Sequence, residues 1–451
     1  MREPNAILAA VFRLLPVGVS DGDFKGTSEG VRRALPSNFA AVALNGLCFP
    51  VAGRILGAGL LLTWFVSDLT TSAFWVGLVV PVQYGLALVA QPVVAEWLTG
   101  KPRRAPYYTA QSLFRAALWC SLGLTSWALR DEHRALLLAI FFLIIIADAA
   151  AAGVGNIAFN DTLARVIPQR LRGRVRSWRG IFGSVAAGLA GLFIRHYFSE
   201  RSGVAAFGLL FAAAGALYAA GGMIFALVSE PEVARARSAK PRLSDLLRRV
   251  RGMMRQDAFR LFVLVESLLV PLAQGLPFFT LFARRAFNLE VEALGLLVLT
   301  DALTPLAGNF VWGRLADARG NRFVFSAAAL TGMLAPALCL LLYVQSSGGI
   351  SSTVILAAFA AVVFATGFAS VGIDLAAKNY ILDLAPDDEE RPVYIGVNDT
   401  LVGLPTTLLA GAGFIIDAFG FAPLFGVVGL LAVGGALLAT RLPSFNQRRS
   451  W

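Results

Sequence analysis

The chain has 451 residues, 57% of them hydrophobic and only 15% charged, with a net charge of +11 and a mean hydropathy of +0.69. A soluble protein carries about 25% charged residues, so this composition excludes an ordinary soluble enzyme and a disordered chain and puts the protein in a membrane. At roughly 20 residues per crossing, twelve helices would use roughly 240 residues and leave no separate soluble domain.

In chain order, residues 7–19 are apolar but interrupted by Arg13 and Pro16, and no small-residue cleavage site follows. Residues 1–38 therefore read as a tail lying at the membrane rather than a signal peptide. Apolar runs long enough to span follow at about 39–65, 73–97, 106–129, 135–161, 178–198 and 204–228, then at 261–282, 291–312, 323–344, 353–377, 393–416 and 421–440. The predicted fold is all-helical, with twelve transmembrane helices in two pseudo-symmetric six-helix bundles, 39–228 and 261–440. A linker at 229–260 joins them, and a tail at 441–451 ends the chain. Within the linker Leu243, Leu246, Leu247, Val250, Met253 and Met254 recur at helical spacing beside Arg248, Arg249, Arg251 and Arg255, which predicts an interfacial amphipathic helix.

Cys48, Cys120 and Cys339 lie far apart in apolar stretches, and His133 and His196 sit in short polar loops, so neither a disulfide framework nor a metal centre is expected, and no cofactor. Of the 39 Lys and Arg residues, 31 fall on the side of the termini, and six on the other: Arg130, Arg134, Arg195, Arg201, Arg284 and Arg285. By the positive-inside rule both termini are cytoplasmic, in a cell inner (plasma) membrane. The excess charge is thus a record of topology rather than a sign of nucleic-acid binding.

The halves overlay at a shift of 218 residues: Gly77-Leu78 on Gly295-Leu296, Gln83 on Asp301, Gln91 on Asn309 and Pro168 on Pro386. With one residue inserted, Gly155-Asn156 matches Gly372 and Asp374. Polar positions recurring in register within apolar helices support a parallel duplication about an axis along the membrane normal.

After the eighth run the chain reads Gly313-Arg-Leu-Ala-Asp317-Ala-Arg-Gly320-Asn-Arg322. This resembles the G-x-L-a-D-r-x-G-r-[RK] loop signature of the major facilitator superfamily. Gly313 is expected to let helices approach closely, Asp317 to pair with cations or a helix end, and Gly320 to permit a tight turn. The equivalent first-half loop keeps Lys101, Arg103 and Arg104 but has Thr99 in place of the Asp, and the fifth run, with Gly180, Gly183, Gly188 and Gly191, lacks the Gly-Pro core of the family's antiporter motif. What the resemblance implies is secondary active transport of a small molecule by alternating access, with helices one, four, seven and ten around a central cavity.

Charges inside a bilayer cost several kcal/mol and are functional candidates by default. Arg54 and Asp148 lie near the middle of their runs and are expected to bind substrate or to pair with one another, helped by Asn45, Asn156 and Gln274. A carboxyl group away from water has its neutral form favoured, which makes Glu266, Asp374 and Asp148 the candidates for proton coupling. Arg115, Asp301 and Asp399 are assigned supporting roles, and Asn398 is a neutral hydrogen-bonding group of the cavity. A gate is expected where Asp387 and Asp388 oppose Lys101, Arg103 and Arg104, and where Asp317 opposes a basic loop that includes Arg172 and Arg174. Substrate, protons and the lipid bilayer are the expected partners of a monomer, the substrate being an organic anion or a drug-like compound. The other two classes, a non-transporting receptor on the same fold and a membrane-embedded lipid-modifying enzyme, are disfavoured; the latter needs clustered carboxylates, whereas Asn160-Asp161 stands alone. No G-x-x-x-x-G-K-[ST] stretch marks an ATP-driven pump.

Overall fold

The computed structural model describes residues 5–15, 17–24, 27–85, 94, 97–98, 101–231, 243–345, 349–385 and 390–444, and among them all regular structure is helical. The helices are α1 (Ala6–Leu14), α2 (Glu29–Asn45), α3 (Phe49–Ile55), α4 (Leu61–Leu69), α5 (Ala73–Val80), α6 (Ala105–Leu129), α7 (Arg134–Val166), α8 (Arg172–Ser199), α9 (Val204–Ala226) and α10 (Leu243–Met254). They continue as α11 (Asp257–Ala273), α12 (Leu276–Phe287), α13 (Ala293–Arg319), α14 (Asn321–Gly332), α15 (Leu334–Val344), α16 (Ser352–Leu384), α17 (Arg391–Leu408), α18 (Ala410–Phe419) and α19 (Phe421–Ala439).

Ten stretches among the described residues are long and apolar enough to cross a membrane: Glu29–Ile55, Arg134–Val166, Gln169–Ser199, Val204–Ala226, Asp257–Phe287, Ala293–Arg319, Asn321–Val344, Ser352–Leu384, Val393–Phe419 and Phe421–Ala439. Two of the twelve expected runs are not among them. The run 73–97 is described mainly as the shorter apolar helix Ala73–Gly85. The run 106–129 forms α6, 25 residues long, with Gln111, Ser112, Arg115 and Ser126 buried along it.

The first run differs in its bounds. Its helix starts at Glu29, where an acidic first-turn residue favours the N-terminus and pairs with Arg33 one turn on. It is then interrupted at 46–48 and again at 56–60. The interruption at Gly57 falls 218 residues before the one at Gln274–Gly275, which separates α11 from α12. Both halves thus break the same helix at the repeat offset, a feature that sequence hydropathy alone did not distinguish from a continuous span.

By packing, the chain divides into two units: Met1–Gly57, Val89–Phe193 and Phe198–Lys240 form the first, and Ala58–Leu88, Ile194–Tyr197 and Pro241–Trp451 the second. In the first, α6 and α9 cross through small residues. A Cβ on Gly123 would stand 2.6 Å from the Gly208 carbonyl oxygen, and one on Gly215 would stand 2.8 Å from that of Ala116. Helix α1, capped by the Asn5 side chain accepting from the Ile7 and Leu8 amides, lays Leu8 into the same core as Leu163, Val166, Leu171 and Val175. In the second unit, α13 and α16 approach closely where Gly372 meets the Trp312 ring, whose indole N–H donates to the Phe368 carbonyl at 2.8 Å. Gly155, the residue matched to Gly372 in the other half, likewise meets Gln111 with no room for a Cβ. Linker residues Leu243–Met254 form α10 as expected, with Met253 buried and Arg248, Arg249, Arg251 and Arg255 exposed.

Candidate functional site

Two polar clusters stand inside the helical packing, one in each unit. In the first, α6 contributes Arg115 and Trp119, α7 contributes Asp148 and α9 contributes Tyr218. The Arg115 guanidinium forks onto both Asp148 oxygens at 2.7 and 2.9 Å, and donates to the Tyr218 hydroxyl oxygen at 2.7 Å. The Trp119 indole N–H donates to Asp148 at 2.7 Å, and Asp148 is only 1% exposed. This corrects the sequence expectation: the partner of Asp148 is Arg115, not Arg54. Helix α6 presents Arg115 inward on the same buried face as Gln111, Ser112 and Trp119, a placement that apolar periodicity did not reveal. Arg54 lies in the last turn of α3, partly exposed.

Asn45, at the end of α2, is fully used by the protein. Its amide N–H donates to the Gly221 carbonyl at 2.9 Å, and its oxygen accepts from Tyr108 at 3.3 Å and Arg179 at 3.2 Å. Arg179 also stacks on Phe159 at 4.5 Å. Arg179, the second residue of the fifth run, reaches back along α8 into the bundle. Asn156 is exposed and accepts from Asn160, whose oxygen accepts in turn from Arg176.

The second cluster is acidic. Glu266 on α11 accepts from the Asn398 amide on α17 at 2.8 Å, and Asn398 is 4% exposed. Asp399, Asp374 and Lys378 lie within Coulombic reach of Glu266. Asp374 itself pairs with Lys378 one turn on along α16 at 2.7 Å, both side chains open. The structure therefore brings together Glu266, Asp374, Asp399 and Asn398 and adds Lys378, which stands one residue past the predicted tenth run. Gln274 sits at the break between α11 and α12, its N–H bonded to the Val270 carbonyl.

At the ends of the helices three further groupings appear. Asp161, read from sequence as isolated, is the hub of a web: it accepts from Arg104 at 2.7 Å and from Arg165 at 3.0 Å. Glu230 meets the Arg104 and Ala105 amides at 2.7 and 2.8 Å, satisfying the open N-terminus of α6. Arg172 donates to the Ile167 and Ala164 carbonyls, and Arg174 to that of Gly18. Gly320 has φ +81°, as the tight turn requires. Gly313, by contrast, has nothing within 4 Å of its Cβ position, so the close approach expected there is not made, and Asp317 is exposed with no ion pair among the described residues. Asp387, Asp388, Gln91 and Pro386 lie outside the described residues.

In the second unit residues 58–74 are fastened to α12 and α18. Asp417 accepts from the Ala73 amide at 2.8 Å, the Phe74 amide at 3.2 Å and the Ser72 hydroxyl at 2.8 Å, capping α5 from another helix. Arg284 pairs with Asp68, Arg285 donates to the Thr71 carbonyl, and Thr280 donates to the Gly59 carbonyl at 2.7 Å. Gly413 makes this crossing possible, since its Cβ position lies 2.4 Å from the Ala73 carbonyl oxygen.

Ten long apolar stretches among the described residues, several of them interrupted, with buried polar groups between them, are the build of a polytopic membrane protein. The family model described as Major Facilitator Superfamily matches residues 265–450. No curated protein matches the chain. Among solved structures, the peptide transporter POT matches with a TM-score of 0.66 at 12% identity, covering 98% of this chain and 98% of its own. The nucleoside transporter NupG matches at 0.65 and 13%, covering 89% and 100%, and the D-xylose–proton symporter at 0.64 and 15%, covering 90% and 97%. Residues 265–450 thus match the Major Facilitator Superfamily model, and the fold of the whole chain is similar to that of these transporters.

Proposed function

We propose that the protein is a secondary active transporter that moves a small molecule by alternating access, coupled to protons. The observation that carries this reading is the cluster around Glu266. A carboxyl group in a membrane helix, hydrogen-bonded to a buried amide and flanked by Asp374, Asp399 and Lys378, has the makings of a proton-exchange site. An amide suits either protonation state. It donates through Nδ2 to the carboxylate and, rotated by half a turn, accepts through Oδ1 from the carboxylic acid. Asp148, locked by Arg115 and Trp119, is better suited to positioning α6 against α7 than to exchanging protons.

The substrate is an organic anion or a drug-like compound; Arg54 in the first unit and Gln274 in the second each stand beside a helix break and are each a candidate contact, since half-helix ends offer free backbone groups. Solved neighbours described as a D-xylose–proton symporter and as a nucleoside transporter support a small solute and a proton as cargo. Twelve helices in two halves, 39–228 and 261–440, with both termini cytoplasmic, remain the proposed topology. The fastening of residues 58–74 by Asp417, Arg284 and Arg285 within the second unit supports the reading of these contacts as a closed gate.

Proteoliposomes with an imposed pH gradient test the reading. Solute accumulation should follow the gradient in the native protein. In Glu266→Gln, gradient-driven accumulation should be lost while counterflow exchange persists. Flux indifferent to the gradient in the native protein would sink proton coupling, and no flux for any solute in a broad metabolite panel would sink the transporter reading itself.

A further inference from the structure

The tail that precedes α2 does not hang free. Helix α1 buries Leu8, places Phe12 edge-on against Phe39 at 5.3 Å, and leaves Ile7 and Leu14, one heptad apart, pointing outward. Val17 returns to the bundle, and residues 17–24 run beside the turn that opens α8. Between this strap and α8 lies a cavity of about 520 Å³ lined by Val17, Gly18, Gly173, Arg174, Ser177, Trp178 and Ile181.

Its chemistry is graded along α8. At the strap end stands Arg174, whose contacts with the Gly18 carbonyl at 2.5 Å and with Asp23 at 3.7 Å both use Nη1. Nε and Nη2 make no hydrogen bond among the described residues, so one side of the guanidinium fork is open. Arg170 stands close by, its Nη1 3.7 Å from the Cβ position of Gly22. One turn along comes Trp178, packed on Phe182 at 5.4 Å. Beyond it Ile181, Val185 and Leu189 continue the same helical face and are 41%, 54% and 63% exposed.

A cationic fork open on one side, an aromatic ring one turn along and an open apolar stripe, in that order down a membrane helix, match the order of groups in a phospholipid. We propose that this cavity is a binding site for one anionic phospholipid, its phosphate on Arg174 and Arg170, its glycerol region against Trp178 and an acyl chain along Ile181, Val185 and Leu189. Asp23 is the built-in competitor, since it shares Arg174 with the headgroup. The site lies entirely within the first packing unit and depends on the chain spanning a bilayer, not on what the protein carries. Strap, α8 and lipid would together fix the tail to the membrane surface.

The test uses the full chain in vesicles of phosphatidylcholine containing an equal mole fraction of acyl-brominated phosphatidylglycerol or of acyl-brominated phosphatidylcholine, with tryptophan emission as the readout. Brominated phosphatidylglycerol should quench more strongly, and the excess should vanish in Trp178→Phe. Titrating the brominated lipid should show apparent affinity falling about fivefold for each arginine removed in Arg174→Ala and Arg170→Ala, and rising in Asp23→Asn, which keeps both cations and guards against misreading a folding defect. Equal quenching by the two lipids overturns the proposal, as does an excess that is insensitive to these three substitutions. Displacement of the excess by free glycerol phosphate at millimolar concentration would show that the acyl stripe contributes nothing, and would equally overturn it.

Discussion

Arg115 and Asp148 are an ion pair almost sealed from solvent, 8% and 1% exposed, with every charged oxygen matched to a donor. Removing one partner of such a pair strands the other charge and costs about 3–5 kcal/mol, whereas replacing both by apolar residues is often neutral. Asp148→Asn and Arg115→Ala should therefore each lower the unfolding temperature of the detergent-purified protein sharply, and the double variant Arg115→Met, Asp148→Leu should recover much of the loss. Differential scanning fluorimetry reads both outcomes. Asp23, outside the membrane, behaves differently. The Ser20 amide, with smaller help from the Ser20 hydroxyl, Arg174 and Arg170, holds its carboxyl below the usual carboxylate range against a modest desolvation. A depressed folded-state value stabilises the strap fully above the unfolded value of about 4 and ceases to do so as pH falls through the folded one. Protease susceptibility of residues 17–24 should stay constant from pH 8 to 5, taking about those limits from the same reference scale, and Asp23→Asn should abolish any acid-induced rise.

At the scale of elements, small residues decide how closely helices sit. Helices in lipid gain little from the hydrophobic effect, so they associate through van der Waals contact and depend on glycine where backbones cross. Gly208 faces the Gly123 carbonyl, which would stand 2.7 Å from a Cβ. Gly208→Leu should force α9 from α6 at a cost of about 1–3 kcal/mol or more, seen as a lower melting temperature, while Gly429→Leu on α19, where nothing lies within 4 Å, should be tolerated. The helix breaks were only half legible. Gly57, Gly59 and Gly275 were visible as letters, but glycine is tolerated in continuous membrane helices as well. What makes residues 58–60 a break is the packing of Leu276 on Gly59 and the hydrogen bond from Thr280. A helix within the linker was legible because its signal, apolar spacing beside four arginines, is local.

Across the whole molecule, the fastening of α5 to α18 joins segments far apart in sequence, and the proposed transport cycle can be tested there. Asp417 caps a helix it does not belong to, so its loss should cost about 1–2 kcal/mol in the fastened state, a five- to thirtyfold shift in population. Asp417→Ala should accordingly raise the reactivity of a thiol at Thr280→Cys toward a membrane-impermeant maleimide, and unchanged labelling would mean that the contact does not control access. Nothing in the sequence pairs Asp417 with Ser72, because they are 345 positions apart and both read as loop residues. The sequence by itself determined that the chain is strongly apolar and helical in pattern, that polar positions recur at a shift of 218 residues and that one loop resembles a superfamily signature, because composition, periodicity and local turn chemistry are properties of neighbours along the chain. Only the tertiary structure decided that Asp148 belongs to Arg115, that Lys378 joins the Glu266 cluster, and that Asp417 closes on α5. A charge inside a bilayer must find a counter-charge or a donor, and which of the available ones it reaches depends on which helix faces point toward each other.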